Sequence, residues 1–195
     1  MKKKRVVGLD ASTTTIGFSV VDYDGYSGPE LKHVEHFKPP KKGDLFEKLD
    51  KVREFIFDRL DKYKPDDVAL EDIILFMKGH STAKTISSLA VLNRTVGLAV
   101  YNKTGKPPQL LNVMKIRHAI KENKKLPAKE DIPELVAKIL NIKFPYILNK
   151  KGAVAVENYD RADSIAVALA YIENRKRVEK PAKKRTKKQK SKKIP

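Results

Sequence analysis

The chain has 195 residues, of which 41% are hydrophobic and 34% charged, which fits one folded domain and excludes a largely disordered polymer. It contains no cysteine, which excludes disulfide bonds and thiolate metal sites. The formal net charge of +18 makes a polyanion the expected partner, and nucleic acid is the commonest polyanion in cells.

The first residues are basic and lead directly into a short apolar stretch. They lack the longer apolar segment and the small-residue cleavage site of a signal peptide. No apolar run approaches the ~20 residues that a membrane-spanning helix needs, so no membrane partner is expected. We therefore expect a cytoplasmic protein, associated with the nucleoid, or in the host cytoplasm if the source is viral.

Strands and helices can be assigned in chain order from apolar periodicity and turn residues. Three apolar stretches separated by tight turns predict an antiparallel meander of strands over residues 4–10, 16–23 and 31–37. A helix over 43–63, a fourth strand over 68–71, a long helix over 81–101 and a fifth strand over 109–113 follow. Three more helices are predicted over 114–122, 128–140 and 159–174.

This order of elements predicts an α/β fold. Strand–helix–strand crossovers within one sheet are parallel and right-handed. The first, fourth and fifth strands should therefore be parallel, and the first three antiparallel. We expect a five-stranded mixed sheet flanked by helices.

The end of the chain is strongly basic. Residues 175–195 contain twelve Lys and Arg against one Glu and so carry +11 of the net charge of +18. They have almost no apolar residues and cannot form a core of their own. We predict one folded domain over 1–174 and a disordered basic tail over 175–195. The tail either contacts phosphates, which would make binding strongly salt-dependent, or serves solubility or localisation.

Four acidic residues stand at positions that one α/β fold would bring together. Asp10 ends the first strand and Glu71 ends the fourth, whereas Asp160 and Asp163 open the last helix at a spacing that shares one helix face. Carboxylates at the carboxyl ends of neighbouring strands point into the crevice where α/β sheets bind ligands. Each acid alone has a simpler explanation, as a turn, cap or solvated strand end.

Such a cluster predicts a metal site. Crowded carboxylates repel each other unless a cation lies between them, and oxygen-only ligands select the hard ions Mg²⁺ or Mn²⁺. Two such ions ~4 Å apart can hold a phosphodiester, activate water and stabilise the leaving oxygen.

These residues lie in motifs that resemble a known family. The motifs are VGLDAS at 7–12, Gly17, ALE at 69–71, FMK at 76–78 and DRADSIA at 160–166. In order and separation they resemble the RuvC Holliday junction resolvases of the ribonuclease H-like superfamily, over about residues 5–173. The resemblance implies a ribonuclease H-like fold and a Mg²⁺-dependent endodeoxyribonuclease of DNA recombination and repair. It would resolve four-way DNA junctions by paired, symmetric cuts that leave a 3′-hydroxyl and a 5′-phosphate.

The resemblance also implies roles for particular residues. Asp10, Glu71, Asp160 and Asp163 would hold two Mg²⁺ ions, which Mn²⁺ could replace. Phe76 would approach the bases at the junction, or is an ordinary core or surface residue. Candidate contacts to the DNA backbone are Lys115 and Lys129 near the scissile phosphate, and Lys78, His80 and Ser81 in a polar loop; for each, solvated charge or a solvated loop is the alternative.

The helix predicted over 81–101 has few charges and several small residues. Its default role is to pack in the core. In the resembled family the corresponding helix helps to form a two-fold dimer, and two symmetric active sites suit two strands of a symmetric junction. We therefore expect a homodimer.

Two other functions stay open on the sequence alone. A nuclease of the same fold could cut flaps or RNA–DNA hybrids instead of junctions. A non-catalytic nucleic-acid binding module with a basic tail is the third possibility, although acids beside phosphate are explained only by a bound metal.

Overall fold

Five strands form one mixed sheet in the computed structural model, which describes residues 3–24, 26–73 and 82–179. They are β1 (Lys4–Ala11), β2 (Ile16–Tyr23), β3 (Glu30–Phe37), β4 (Asp67–Glu71) and β5 (Gln109–Leu111). Their order across the sheet is β3-β2-β1-β4-β5. The β1–β2 and β2–β3 pairs are antiparallel, and the β1–β4 and β4–β5 pairs are parallel. The predicted mixed sheet is confirmed.

Helices pack on both faces of this sheet. Those described are α1 (Leu45–Tyr63), α2 (Ala83–Thr104), α3 (Val113–Ile120), α4 (Ile132–Leu140) and α5 (Glu157–Glu179). α1 begins at a capping box. The Asp44 side chain accepts from the Glu47 N–H, and the Glu47 side chain accepts from the Asp44 N–H. Within the described ranges, no helix has both the length and the apolar character needed to cross a bilayer.

Alternation of side chains along β1 builds one core on each face of the sheet. Val6 packs in the core formed with α3, α4 and α5, whereas Val7 and Leu9 pack in the core formed with α1 and α2. β2 is buried along its whole length, since both of its faces are covered. Even-numbered positions of β1 therefore face α5, and Asp10 is one of them.

Three differences between the observed and the predicted boundaries affect the site or the tail, whereas the other boundaries agree or shift by one to three residues. β5 ends at Leu111 rather than 113, because Asn112 caps α3 by accepting from the Lys115 N–H at 2.8 Å. α4 begins at Ile132 rather than 128, so residues 128–131 form a turn. α5 continues to Glu179, so residues 175–179, assigned above to the tail, are helical. Arg and Lys are good helix formers, and extending an existing helix needs no new nucleus.

Candidate active site

Strand register places Asp10 and Glu71 side by side. β1 and β4 run parallel with Leu9 opposite Leu70, and the next residues along the two strands are Asp10 and Glu71. Ala69, two residues before Glu71, packs in the core with α5, so Glu71 shares that face. Both carboxylates thus lie at the carboxyl ends of adjacent parallel strands, on the side of the sheet that α5 covers.

The first turns of α5 add Asp160 and Asp163 to the same place. These residues are three positions apart in the helix and share one face. The helix lies very close to β2, because a Cβ on Gly17 would stand 2.0 Å from the carbonyl oxygen of Asp160. Any other residue at this position would push α5, and its carboxylates, away from the sheet.

The acids converge on one cleft. One carboxylate oxygen each from Asp10, Asp160 and Asp163 lie within 4.8 Å of one another. Glu71 lines the same cleft, whose volume is about 300 Å³. The structure therefore brings together the four acids that the sequence singled out.

Two basic side chains reach this cleft. Lys129 Nζ lies 3.3 Å from Asp160 Oδ1 and 3.3 Å from Asp163 Oδ2. Arg117, on α3, lines the cleft and donates a 2.5 Å hydrogen bond to the carbonyl oxygen of Pro127. That contact ties α3 to the turn that carries Lys129. The cleft thus combines several acids with cations that are fixed near them.

Burial and mutual repulsion raise the pKa values of three carboxyl groups in the cleft. Burial, followed by the charges of Glu71 and Asp163, raises the pKa of Asp10 well above its ordinary value. Burial and the charge of Asp163 raise the pKa of Glu71 to about 7. Burial also raises the pKa of Asp163, even though Lys129 opposes the shift. The ionised forms of these three carboxyl groups are therefore disfavoured in the protein without a bound cation.

The pKa of Lys129 depends more on neighbouring charges than on burial. Burial alone would lower its pKa, but the charges of Asp163 and Asp160 outweigh burial, so the pKa of Lys129 is raised. The ammonium group is accordingly held in its charged form beside the carboxylates.

This donor set fits a hard divalent cation. All the clustered donors are carboxylate oxygens, which suit Mg²⁺ or Mn²⁺ rather than softer metals. A cation between them would stabilise the ionised carboxylates against the burial and the mutual repulsion that raise the pKa values of Asp10 and Glu71. The residues therefore fit a metal centre.

The other predicted site residues fall elsewhere. Lys115 is exposed on α3 and is not among the described residues that line the cleft. Lys129, predicted to open a helix, lies instead in the turn before α4. Four further candidates lie outside the described residues: Phe76, Lys78, His80 and Ser81.

Sequence reasoning missed two residues at this site. Arg117 shares a face of α3 with Val113, four residues earlier, and both line the cleft. Asn93 is 1% exposed on α2 and donates a 2.8 Å hydrogen bond to the carbonyl oxygen of Glu71, which fixes the end of β4. The available sequence signal for Asn93 was an asparagine at a position of apolar spacing in a helix with few charges.

One known protein family matches most of this chain. The family model described as crossover junction endodeoxyribonuclease RuvC matches residues 6–171. The chain belongs to the RuvC family. A curated RuvC relative, the crossover junction endodeoxyribonuclease of Finegoldia magna, is 27% identical over 176 residues, covering 86% of this chain and 92% of the relative.

Two solved structures share the fold. T. thermophilus RuvC in complex with Holliday junction substrate superposes with a TM-score of 0.69 at 21% identity, covering 89% of this chain and 96% of the other. The yeast mitochondrial Holliday junction resolvase Ydc2 gives a TM-score of 0.61 at 15% identity, covering 87% and 78%. The predicted ribonuclease H-like fold is confirmed.

Proposed function

We propose that this protein is a structure-selective endonuclease that resolves four-way DNA junctions. The observation that carries the proposal is the carboxylate cluster of Asp10, Asp160 and Asp163, with Glu71 beside it, in a chain whose RuvC match spans residues 6–171. Relatives named crossover junction endodeoxyribonuclease, and a T. thermophilus RuvC solved with a Holliday junction substrate, support the substrate class. The net charge of +18 suits a DNA ligand.

The same four acids would hold Mg²⁺, with Mn²⁺ able to replace it. Four carboxylates supply enough oxygen donors for two ions. When bound, Mg²⁺ supplies Lewis-acid chemistry that activates water and stabilises the leaving oxygen of a phosphodiester.

The basic residues of the cleft bind and orient the substrate. Lys129 now pairs with Asp160 and Asp163. With a cation held by those carboxylates, its ammonium would be free to donate to a phosphate oxygen of the scissile group. Arg117 adds a second positive charge to the cleft. Its guanidinium presents several donors suited to a phosphate of the same DNA strand. Substrate binding would thereby be coupled to cation binding by the carboxylates.

A second copy of the chain would complete the functional unit. Val91, Leu98 and Tyr101 lie on one face of α2 and are 42%, 59% and 51% exposed. An apolar helix face of this kind favours association, and a two-fold dimer would present two active sites to two strands of one junction.

Cleavage of labelled DNA tests the proposal. A synthetic four-way junction, a linear duplex, a flap and an RNA–DNA hybrid would each be incubated with Mg²⁺ and either wild type or Asp10→Asn. We expect paired symmetric nicks in the junction, which the variant still binds but no longer cuts. Preferential cutting of the flap or the hybrid would identify that nucleic acid, and not the junction, as the substrate. Binding without any metal-dependent cutting would indicate a non-catalytic binding module.

A further inference from the structure

A short hairpin precedes α5 and is distinct from the carboxylate cleft. Leu148 and Val154 form an antiparallel bridge. The Asn149 N–H donates to the carbonyl oxygen of Ala153 at 2.8 Å, which closes the turn. Residues 147–155 are called the 147–155 hairpin below.

One buried side chain fixes this hairpin to the active-site helix. Asn158, fully buried, donates at 2.8 Å to the carbonyl oxygen of Ile147 and at 2.8 Å to that of Ala155. Its Oδ1 accepts from the Ile147 N–H at 3.0 Å and from Arg161 at 2.7 Å. Both arms are therefore held to α5 two residues before Asp160. The 147–155 hairpin has a defined position relative to the carboxylates.

The hairpin carries only positive charge. Residues 141–156 contain three lysines and no acidic residue. Lys150 and Lys151 are exposed at its turn. The base of the hairpin is hydrogen-bonded to Asn158, in the first turn of the helix that bears Asp160, so these charges belong to a segment fixed to the active-site helix.

The hairpin also exposes apolar side chains. Leu148, Val154 and Val156 are 63%, 52% and 68% exposed, whereas Ala155 between the two valines is buried. The alternation shows that both valines point away from the core. Exposed aliphatic groups on a tightly hydrogen-bonded framework are typical of a binding surface.

We infer that the 147–155 hairpin is a second DNA-contacting element that recognises the branch point. Lys150 and Lys151 bind phosphates of a strand that flanks the cut, and the aliphatic surface packs against bases whose stacking is interrupted at the junction. A continuous duplex offers few such base faces, whereas proteins that bind distorted DNA insert aliphatic side chains beside unstacked bases. The inference rests on the proposed function and adds the residues that distinguish a junction from a duplex.

Binding measurements in an Asp10→Asn background, which prevents cutting, test the charged part. Anisotropy of a labelled junction would be measured with Mg²⁺ at several salt concentrations. The Lys150→Ala/Lys151→Ala variant should weaken binding and reduce the slope of log Kd against log salt by about 2, near one unit per lost phosphate contact. The matched control, Lys62→Ala/Lys106→Ala, removes two exposed lysines at the opposite end of the parallel strands and should change the slope less.

A second variant tests the apolar part. Leu148→Ser/Val154→Ser should lower the preference for junction over duplex about tenfold, or ~1.4 kcal/mol, while the salt slope stays unchanged. Unchanged slope and preference in the two hairpin variants, with wild type still cutting junctions, would overturn the hairpin inference alone. Parent protein that binds no DNA would overturn the proposed function as well. Conversion of a dimer to a monomer by the serine variant, measured by sedimentation, would also overturn the inference, since a second copy would then cover the surface.

Discussion

Gly8 of β1 and Ser164 of α5 are in such close contact that a Cβ on Gly8 would stand 2.1 Å from the Ser164 carbonyl oxygen. This approach sets the depth at which α5 lies on the sheet. Since α5 also carries Asp160 and Asp163, the same contact sets the spacing of the acids across the cleft. Fold stability and site geometry therefore depend on one small residue.

Gly8→Ala should accordingly destabilise the protein by several kcal/mol, on the order of 3 or more, because backbone and not a flexible side chain must move. Gly97→Ala is the matched control. A Cβ there would meet Pro108 and Leu70 at 3.8 and 3.9 Å, which is ordinary contact, and alanine favours the helix by about 1 kcal/mol. Chemical unfolding measures both. Equal stability of Gly8→Ala and wild type would contradict the packing argument.

Asp10→Asn should stabilise the metal-free protein. The pKa of Asp10 is raised well above its ordinary value by burial and by neighbouring charges, so the ionised carboxylate costs folding free energy near neutral pH. A neutral isostere removes that cost. We expect a higher Tm than that of wild type in thermal unfolding with EDTA, where each kcal/mol of stabilisation raises Tm by roughly 2–4 °C.

The same variant should lose most of the stabilisation that Mg²⁺ gives to wild type. Asp50→Asn is a suitable control, since Asp50 is exposed on α1 and pairs only with nearby Arg53 in the described contacts. A lower Tm for Asp10→Asn than for wild type in EDTA would show that the carboxylate is stabilising without metal.

Glu71 should make metal binding depend on pH near neutrality. Its pKa of about 7 lies above the ordinary 4.5, so the protonated form is favoured in the folded state. The stability contributed by this group is fully present below pH 4.5 and is lost as pH rises through about 7. Mg²⁺ requires the ionised form, so its affinity should rise over the upper part of this range.

Calorimetry of Mg²⁺ binding in two buffers of different ionisation enthalpy tests this dependence. Proton release at about pH 6.5, just below the pKa of about 7, should be substantial for wild type and smaller for Glu71→Gln. Proton release that is the same in both proteins would assign the titration to another carboxylate.

Leu98→Glu should separate dimer formation from folding. Leu98 is 59% exposed on α2, so a charge there costs the monomer little, whereas burying it between two copies is costly. We expect a monomer by sedimentation that retains its Tm and binds a junction but loses paired cutting. Thr85→Glu, at an exposed position about 140° around the same helix from Leu98, is the control. A Leu98→Glu protein that remains dimeric would place the interface elsewhere.

The limits of sequence reasoning at this site follow from helix phase. The positions of Asp10 and Glu71 could be predicted, because they depend on the alternation of side chains along a strand and on the order of the strands. The resemblance implied Lys115, whereas Arg117 lines the cleft. Each residue turns a helix by about 100°, so these two side chains lie ~200° apart around α3. Because the predicted β5 extended to residue 113, Asn112 was not identified as the N-cap of α3. The residues of α3 that face the cleft could then not be predicted. The 147–155 hairpin rests on a single bridge and left no periodic pattern to detect.

Lys129→Met should affect metal binding and cleavage in opposite directions. The ammonium lies 3.3 Å from both Asp160 and Asp163, so it competes with a cation for those oxygens. Without it, Mg²⁺ should bind more tightly. Cleavage should nevertheless fall about 10–100-fold, because a charged donor to the scissile phosphate is lost.

Lys124→Met, an exposed lysine in the same connecting segment, should alter neither property and serves as the control. Mg²⁺ titration and single-turnover cleavage separate the two effects. Weaker Mg²⁺ binding in Lys129→Met would mean that the lysine organises the carboxylates rather than competing for them. Tighter metal binding with undiminished cleavage would remove Lys129 from the substrate-binding residues and leave Arg117 as the cationic side chain of the described cleft to be tested.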